Sequence, residues 1–530
     1  MKRQNYTFAT VTLLACMFAC QKAEDSNLIL DENATETTEH NNEFITTDGQ
    51  TLLGDVIDIP YSIENLLKAY ENLPARTKSQ IDPNDIKPTH YYVRFYPKSI
   101  REQDILRNIK PYVFLSETPL DREVVVGGSS YHDPSIPNDL PTFQYTVVPV
   151  DRWAELGKTV PVEAEILIKA YIPDYDEAYT TKSEDKYGIP ATAYEELLRE
   201  AYRITGNEYD AIPETKSSWN PSGRIRAKDD YYNAMVAVPG VRVRATHLLK
   251  VKEALTDEEG RFTLPSFNSS VTYKIIWESD DWDIRDGLTG QATFDGPNLS
   301  TQWFPEIDTT HEKNVRYAAT QRAAYRWYYG DVEGLIRPAF SNKLKICQRV
   351  EANSHKGVFT HSAAMDWHIE IWIRDSTGAY RTIRNSYEVT AHELGHAAHF
   401  SRVNSFNSYC DSIKESWALF VGGVLTQKEY GTYSVEYNVV HEGWPEINHV
   451  KYTPIFIDLF DTVNQHELHE YTPNDTVAGF STTQLNTALL NSSTSLLALK
   501  NNLTPLPVGV TMDQINNLFS EYENHWVEDD

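Results

Sequence analysis

His392 and His396 stand four residues apart around Glu393, in the run Ala391-His392-Glu393-Leu394-Gly395-His396-Ala397-Ala398-His399. On an α-helix four residues turn about 400°, so the two imidazoles leave one face, one turn apart. Such a pair offers two neutral nitrogens to a single ion from a fixed backbone, which limits the entropy lost on binding. Glu393 lies about 100° round from His392, poorly placed to ligate beside it but able to reach a water held by the ion. Leu394, Ala397 and Ala398 supply an apolar face, and Gly395 leaves room for another element to come close. The segment 386–400 is therefore expected to be a helix set in a core with one polar face open.

The flanking patterns suit such a core. Tyr317, Gln321, Ala324 and Tyr328 recur at helical intervals over 314–329, and 344–350 reads as a strand. Trp367, Ile369, Ile371 and Ile373 alternate with polar residues, which predicts a strand. That strand is expected to be a sheet edge on which an extended peptide could add.

A catalytic zinc normally takes three protein ligands and keeps a fourth position open. The metzincin pattern requires glycine at 399 and histidine at 402, where this chain has His399 and Arg402, so it is excluded. Glu415 follows in Lys414-Glu415-Ser416-Trp417-Ala418. Over this stretch the chain resembles the gluzincins, in which a second helix donates a glutamate at this kind of separation. The resemblance implies a Zn²⁺ held by His392, His396 and Glu415, with Glu393 activating a zinc-bound water for peptide-bond hydrolysis. It also implies a tyrosine or histidine that stabilises the oxyanion, with Tyr437, His441, His449 and Tyr452 as candidates and Tyr452 the choice among them. Ser412-Ile413-Lys414-Glu415 equally fits a capping box, with Glu415 serving its own helix, and Asp411 and His441 are substitute third ligands. His399 is expected to pack rather than ligate. The acidic residue that thermolysin-like sequences carry four positions after the glutamate is Leu419 here, so the group orienting a ligating histidine must come from elsewhere.

At the other end of the chain, Lys2 and Arg3 precede an apolar run over 6–19, too short to span a bilayer and suited to a signal peptide. Met17-Phe18-Ala19-Cys20 resembles a bacterial lipobox, as does Leu13-Leu14-Ala15-Cys16; Cys20 is preferred because the polar stretch starts directly after it. The resemblance implies an outer membrane lipoprotein, extracytoplasmic and displayed at the cell surface if the acidic residues after the cysteine act as an export signal. Residues 21–50 are rich in Glu, Asp, Asn and Thr and read as a flexible tether. Cys347 and Cys410 leave their pairing open.

The full chain, of 530 residues, is too long for one core. An α+β multidomain fold is expected: a mixed α/β region over 51–215, a small β-sandwich over 216–300 and a zincin-like domain over 301–530. In the middle segment Val241-Arg242-Val243-Arg244 alternates as a half-buried strand, and Thr256-Asp257-Glu258-Glu259-Gly260-Arg261-Phe262 reads as a tight turn entering another. "PGVRVRA" and "TDEEGRFTL" together resemble the carboxypeptidase regulatory-like domain, a transthyretin-like accessory module, to which no catalysis is assigned.

With 76 acidic against 48 basic residues the net charge is −28, which repels phosphate backbones and argues against a nucleic-acid partner. The whole resembles uncharacterised bacterial lipoproteins of the zinc-dependent metallopeptidase type, so the expected partner is a protein, peptide or glycoprotein substrate. The alternatives are a glycoprotein-directed peptidase with the same zinc centre, and a non-catalytic surface-binding lipoprotein.

Overall fold

The computed structural model describes residues 44–173, 188–207, 218–403, 406–434, 453–464, 466, 473–491 and 493–525. The α+β character expected of the sequence is present, and the chain from Phe44 onward forms one compact unit. Cys16, Cys20, Tyr437, His441, His449 and Tyr452 lie outside the described residues.

The N-terminal region is built on a three-stranded antiparallel sheet. Its centre is β1 (His90–Phe95), flanked by β2 (Gln144–Pro149) and β3 (Ala164–Ala170). Around it lie α1 (Ile63–Asn72), α2 (Ile100–Arg107), α3 (Val150–Thr159) and α4 (Ala191–Ile204). Helix α4 buries Ala193, Tyr194, Leu197, Leu198, Ala201 and Tyr202, the i, i+3, i+4 stripe that makes it a helix with one core face.

A four-stranded antiparallel sheet follows, in the order β5 (Lys250–Leu255), β4 (Arg242–His247), β6 (Val271–Ile276), β9 (Thr293–Leu299). Val243, Ala245, Tyr273 and Ile275 face a core shared with the C-terminal helices. The other face was expected to be solvated, yet Arg242 and Arg244 are buried. Tyr112, Phe114 and Leu115 of the N-terminal region cover the Arg242–Arg244 end of that face, and the guanidinium charges are met by Glu278 at 2.7 Å and Glu253 at 2.6 Å.

Two strands from the segment expected to form the sandwich belong to another sheet. β7 (Trp282–Asp286) and β8 (Gly290–Gln291) join β10 (Leu344–Ala352), β12 (Asp366–Arg374) and β11 (Gly357–Ser362) in the order β8-β7-β10-β12-β11. β7, β10 and β12 run parallel and β11 antiparallel to β12. Residues 366–374 therefore form an inner strand, which corrects the expected edge; the edge is β11. Alternation reveals which faces a strand buries, not which neighbours it has.

Three long helices complete this part: α5 (Glu312–Tyr329), α6 (Ile383–Arg402) and α7 (Asp411–Tyr430). Thr320 of α5 shares a 3.0 Å hydrogen bond with Thr390 of α6 and accepts one from Gln348 of β10 at 2.8 Å. A buried ionic web joins the N-terminal region to this sheet: Arg107 reaches Glu117 and Asp283, each at 2.7 Å. Asp283 also pairs with Arg285, and Arg285 with Asp104.

Residues 44–50 were expected to continue a tether, but they pack. Thr46 and Gln50 bridge to Gly127 and Ser130. The Asp48 carboxylate accepts the Lys313 backbone N–H at 2.8 Å and the Asn314 amide at 3.0 Å. It thus caps α5, whose N-cap His311 makes no side-chain cap bond of its own.

Candidate metal centre

Helix α6 starts at Ile383 because Thr382 accepts the Asn385 N–H, and it carries His392 and His396 on one face. Helix α7 crosses it closely. A Cβ on Gly395 would lie 3.0 Å from Ala418 Cα, and one on Gly422 would lie 3.3 Å from His392 Cα. Small residues at the crossing let the backbones approach, so a residue one turn before Ala418 can reach the histidines. That residue is Glu415.

The three side chains converge. Glu415 Oε2 lies 3.2 Å from His396 Nε2 and 3.4 Å from His392 Nε2. One ligand atom from each residue falls within a mutual 4.8 Å, the only such group of three His, Cys, Asp or Glu side chains among the described residues. Burial disfavours the charge on Glu415, but His396 and His392 outweigh it and hold the carboxyl well below its usual range. The capping reading fails: α7 begins at Asp411 behind Cys410, so Glu415 lies within the helix. Asp411 is half exposed and pairs with Lys414 at 2.7 Å.

Glu393 is buried beneath β11. Burial pushes it up to about 7, with His392 opposing, Glu415 adding, and a hydrogen bond from the Phe359 backbone opposing. Its Oε2 has no hydrogen-bond partner. Gly357 makes room for this carboxylate, since a Cβ there would meet Glu393 Oε1 at 2.7 Å. Two imidazole nitrogens and a carboxylate oxygen form a donor set that suits zinc. An orphaned carboxylate oxygen beside them suits a group that exchanges protons.

His399, one turn on, does not join the cluster. It packs edge-on against Tyr409, with ring centroids 4.5 Å apart, and neither ring nitrogen has a partner. Burial drives its pKa down to about 3, with the neighbouring His396 and Lys414 adding, so it is neutral. Leu419 is buried and apolar, and orients nothing. No disulfide joins Cys347, which is buried, to Cys410.

Three residues that hold the centre in place gave no signal in the sequence. The turn after the strand Arg226–Asp229 meets all three long helices. Asp229 Oδ2 accepts from Arg322 of α5 at 2.6 Å and from the Tyr430 hydroxyl of α7 at 3.0 Å. Asp230 accepts the Ile383 and Arg384 N–H groups of α6 at 2.6 and 3.0 Å. Tyr232 donates to the Glu429 carbonyl of α7 at 2.5 Å. The first three N–H groups of α6 are thus all satisfied, two of them from the middle segment. The pair Asp229-Asp230 before two tyrosines was visible, but its target was not.

No protein-family model matches the chain, and no curated protein matches it.

Proposed function

We propose that this chain is a zinc-dependent peptidase of the gluzincin-like type, attached outside the cytoplasm to the outer membrane by a lipid on Cys20. The convergence of His392, His396 and Glu415 beside the partnerless Glu393 Oε2 carries the reading. His392, His396 and Glu415 would hold a zinc ion, which when bound would supply a Lewis acid to acidify an attacking water. Glu393, whose Oε2 has no other hydrogen-bond partner, would take the proton from that water and return it to the departing amine. Strand β11, which among the described residues pairs with β12 alone, lies over Glu393 and would offer its other edge to an extended peptide. Tyr452 is the proposed oxyanion donor.

No helix among the described residues is long and apolar enough to cross a membrane. A purely structural metal site has no use for a buried, partnerless carboxylate, which weighs against a non-catalytic binding protein. Glu393→Gln is expected to retain stoichiometric zinc and to lose chelator-sensitive casein hydrolysis by about 10²–10⁴-fold. Full activity in that variant would remove Glu393 from the reaction.

A further inference from the structure

We propose that the cleft between the N-terminal region and the four-stranded sheet binds an uncharged oligosaccharide. The cleft measures about 690 Å³, a size typical of small-ligand sites.

Its floor is the face of β4, β6 and β9 turned away from the shared core. Thr272 on β6 is the register partner of Thr246 on β4 and of Asn298 on β9. Two hydroxyls and one amide therefore form a row across three adjacent strands, about 4.8 Å apart. Asn298 Nδ2 donates to Thr272 Oγ1 at 3.1 Å. Among the described residues Asn298 Oδ1 and the hydroxyl protons of Thr272 and Thr246 have no further hydrogen-bond partner, so they are available to a ligand that displaces water from the cleft. Such groups donate and accept, as sugar hydroxyls do.

The next row is charged but closed on itself. Lys274 pairs with Asp295 at 2.7 Å, and Arg244 with Glu253 at 2.6 Å. Those cations are already neutralised, so the floor has no unpaired charge to select an anion. Arg122 at the rim is exposed and donates from Nε to the Gly54 carbonyl at 3.0 Å. An apolar ligand would leave the Thr246–Thr272–Asn298 row unpaired, at a cost in binding. Ile57, Pro119 and Leu120 on the wall give the apolar face of a sugar ring a surface to lie on. The wall opposite is rigid: the Tyr202 hydroxyl lies 2.6 Å from both His247 Nε2 and the Tyr61 hydroxyl, and His247 Nδ1 donates to the Ser270 carbonyl at 3.0 Å.

The test is an array of neutral and sialylated oligosaccharides probed with the intact protein, followed by calorimetric titration of the strongest neutral hit. One-to-one binding is expected, unchanged by EDTA, which separates this site from the metal centre. Thr272→Val, which keeps the side-chain shape, should weaken binding at least tenfold at an unchanged thermal midpoint. Arg122→Ala should change it less than twofold. The proposal is overturned if no neutral glycan binds at millimolar concentration, or if Thr272→Val binds as the parent does. It is equally overturned if only sialylated glycans bind and Arg122→Ala abolishes that binding, which would mark an anion site.

Discussion

Replacing glycine by alanine should stabilise one helical position and not another, because only one of the two positions faces another helix. At Gly157 in α3 a new Cβ meets nothing within 4 Å. Gly157→Ala should therefore gain the usual helix preference of about 1 kcal/mol. At Gly395 in α6 the same atom would stand 3.0 Å from Ala418 Cα and 3.3 Å from its Cβ. Carbon atoms prefer roughly 3.5–4.0 Å, so α6 and α7 must part by about half an ångström. Overpacking of this kind costs about 1–3 kcal/mol, which cancels or exceeds the helix gain. The two variants should therefore differ by about 1–3 kcal/mol in urea unfolding of the metal-free protein. The movement also carries Glu415 away from His392 and His396, in a site that tolerates only about 0.2 Å. Chelator competition should accordingly show weaker zinc binding in Gly395→Ala, by about tenfold, and none of that change in Gly157→Ala. If Gly395→Ala gains stability as Gly157→Ala does and binds zinc normally, the close helix crossing that assembles the centre is wrong.

Two further outcomes follow from the surroundings of the centre. Asp230→Ala removes both hydrogen bonds to the start of α6; it should cost about 1–2 kcal/mol in unfolding experiments and weaken zinc binding, with Asp230→Asn recovering part of the loss. His399 has a folded pKa of about 3, against about 6.5 in an unfolded chain. Below pH 6.5 the unfolded state takes up a proton that the folded state refuses, so stability is full above that pH and falls as pH drops toward 3. The loss reaches about 2 kcal/mol at pH 5. His399→Phe should flatten this dependence between pH 7 and 5 in thermal melts, and an unchanged slope would contradict the burial argument.

What the sequence revealed and what it hid divide along physical lines. The shared face of His392 and His396 was legible because helical geometry acts within one turn, whereas Glu415 on a second helix came from the resemblance to gluzincins and not from its spacing alone. The glycine expected at 395 to admit a neighbour does so, with α7 as that neighbour. The caps were illegible: Asp230 lies 153 residues from Ile383, and Asp48 265 residues from Lys313. An aspartate in a polar stretch gives no sign of which distant helix end it will meet. β7 was hidden for another reason. Its Asp283 and Arg285 are buried yet charged, so Trp282–Asp286 shows no apolar run, and only the partners Arg107 and Asp104 make the burial tolerable. Arg242 and Arg244 misled in the same way, since alternation marks a polar face whether water or a carboxylate covers it. β11, with the sequence Gly-Val-Phe-Thr-His-Ser, is short and half polar, as sheet edges tend to be.

Zinc-edge X-ray absorption on the purified protein, beside its Glu415→Ala variant, bears most directly on the metal centre. One ion per chain is expected, with a shell of nitrogen and oxygen at about 2.0–2.2 Å, and the variant should lose one oxygen ligand and most of its affinity. An absent ion, a sulfur-containing shell, or an identical spectrum in Glu415→Ala would contradict the assignment of His392, His396 and Glu415.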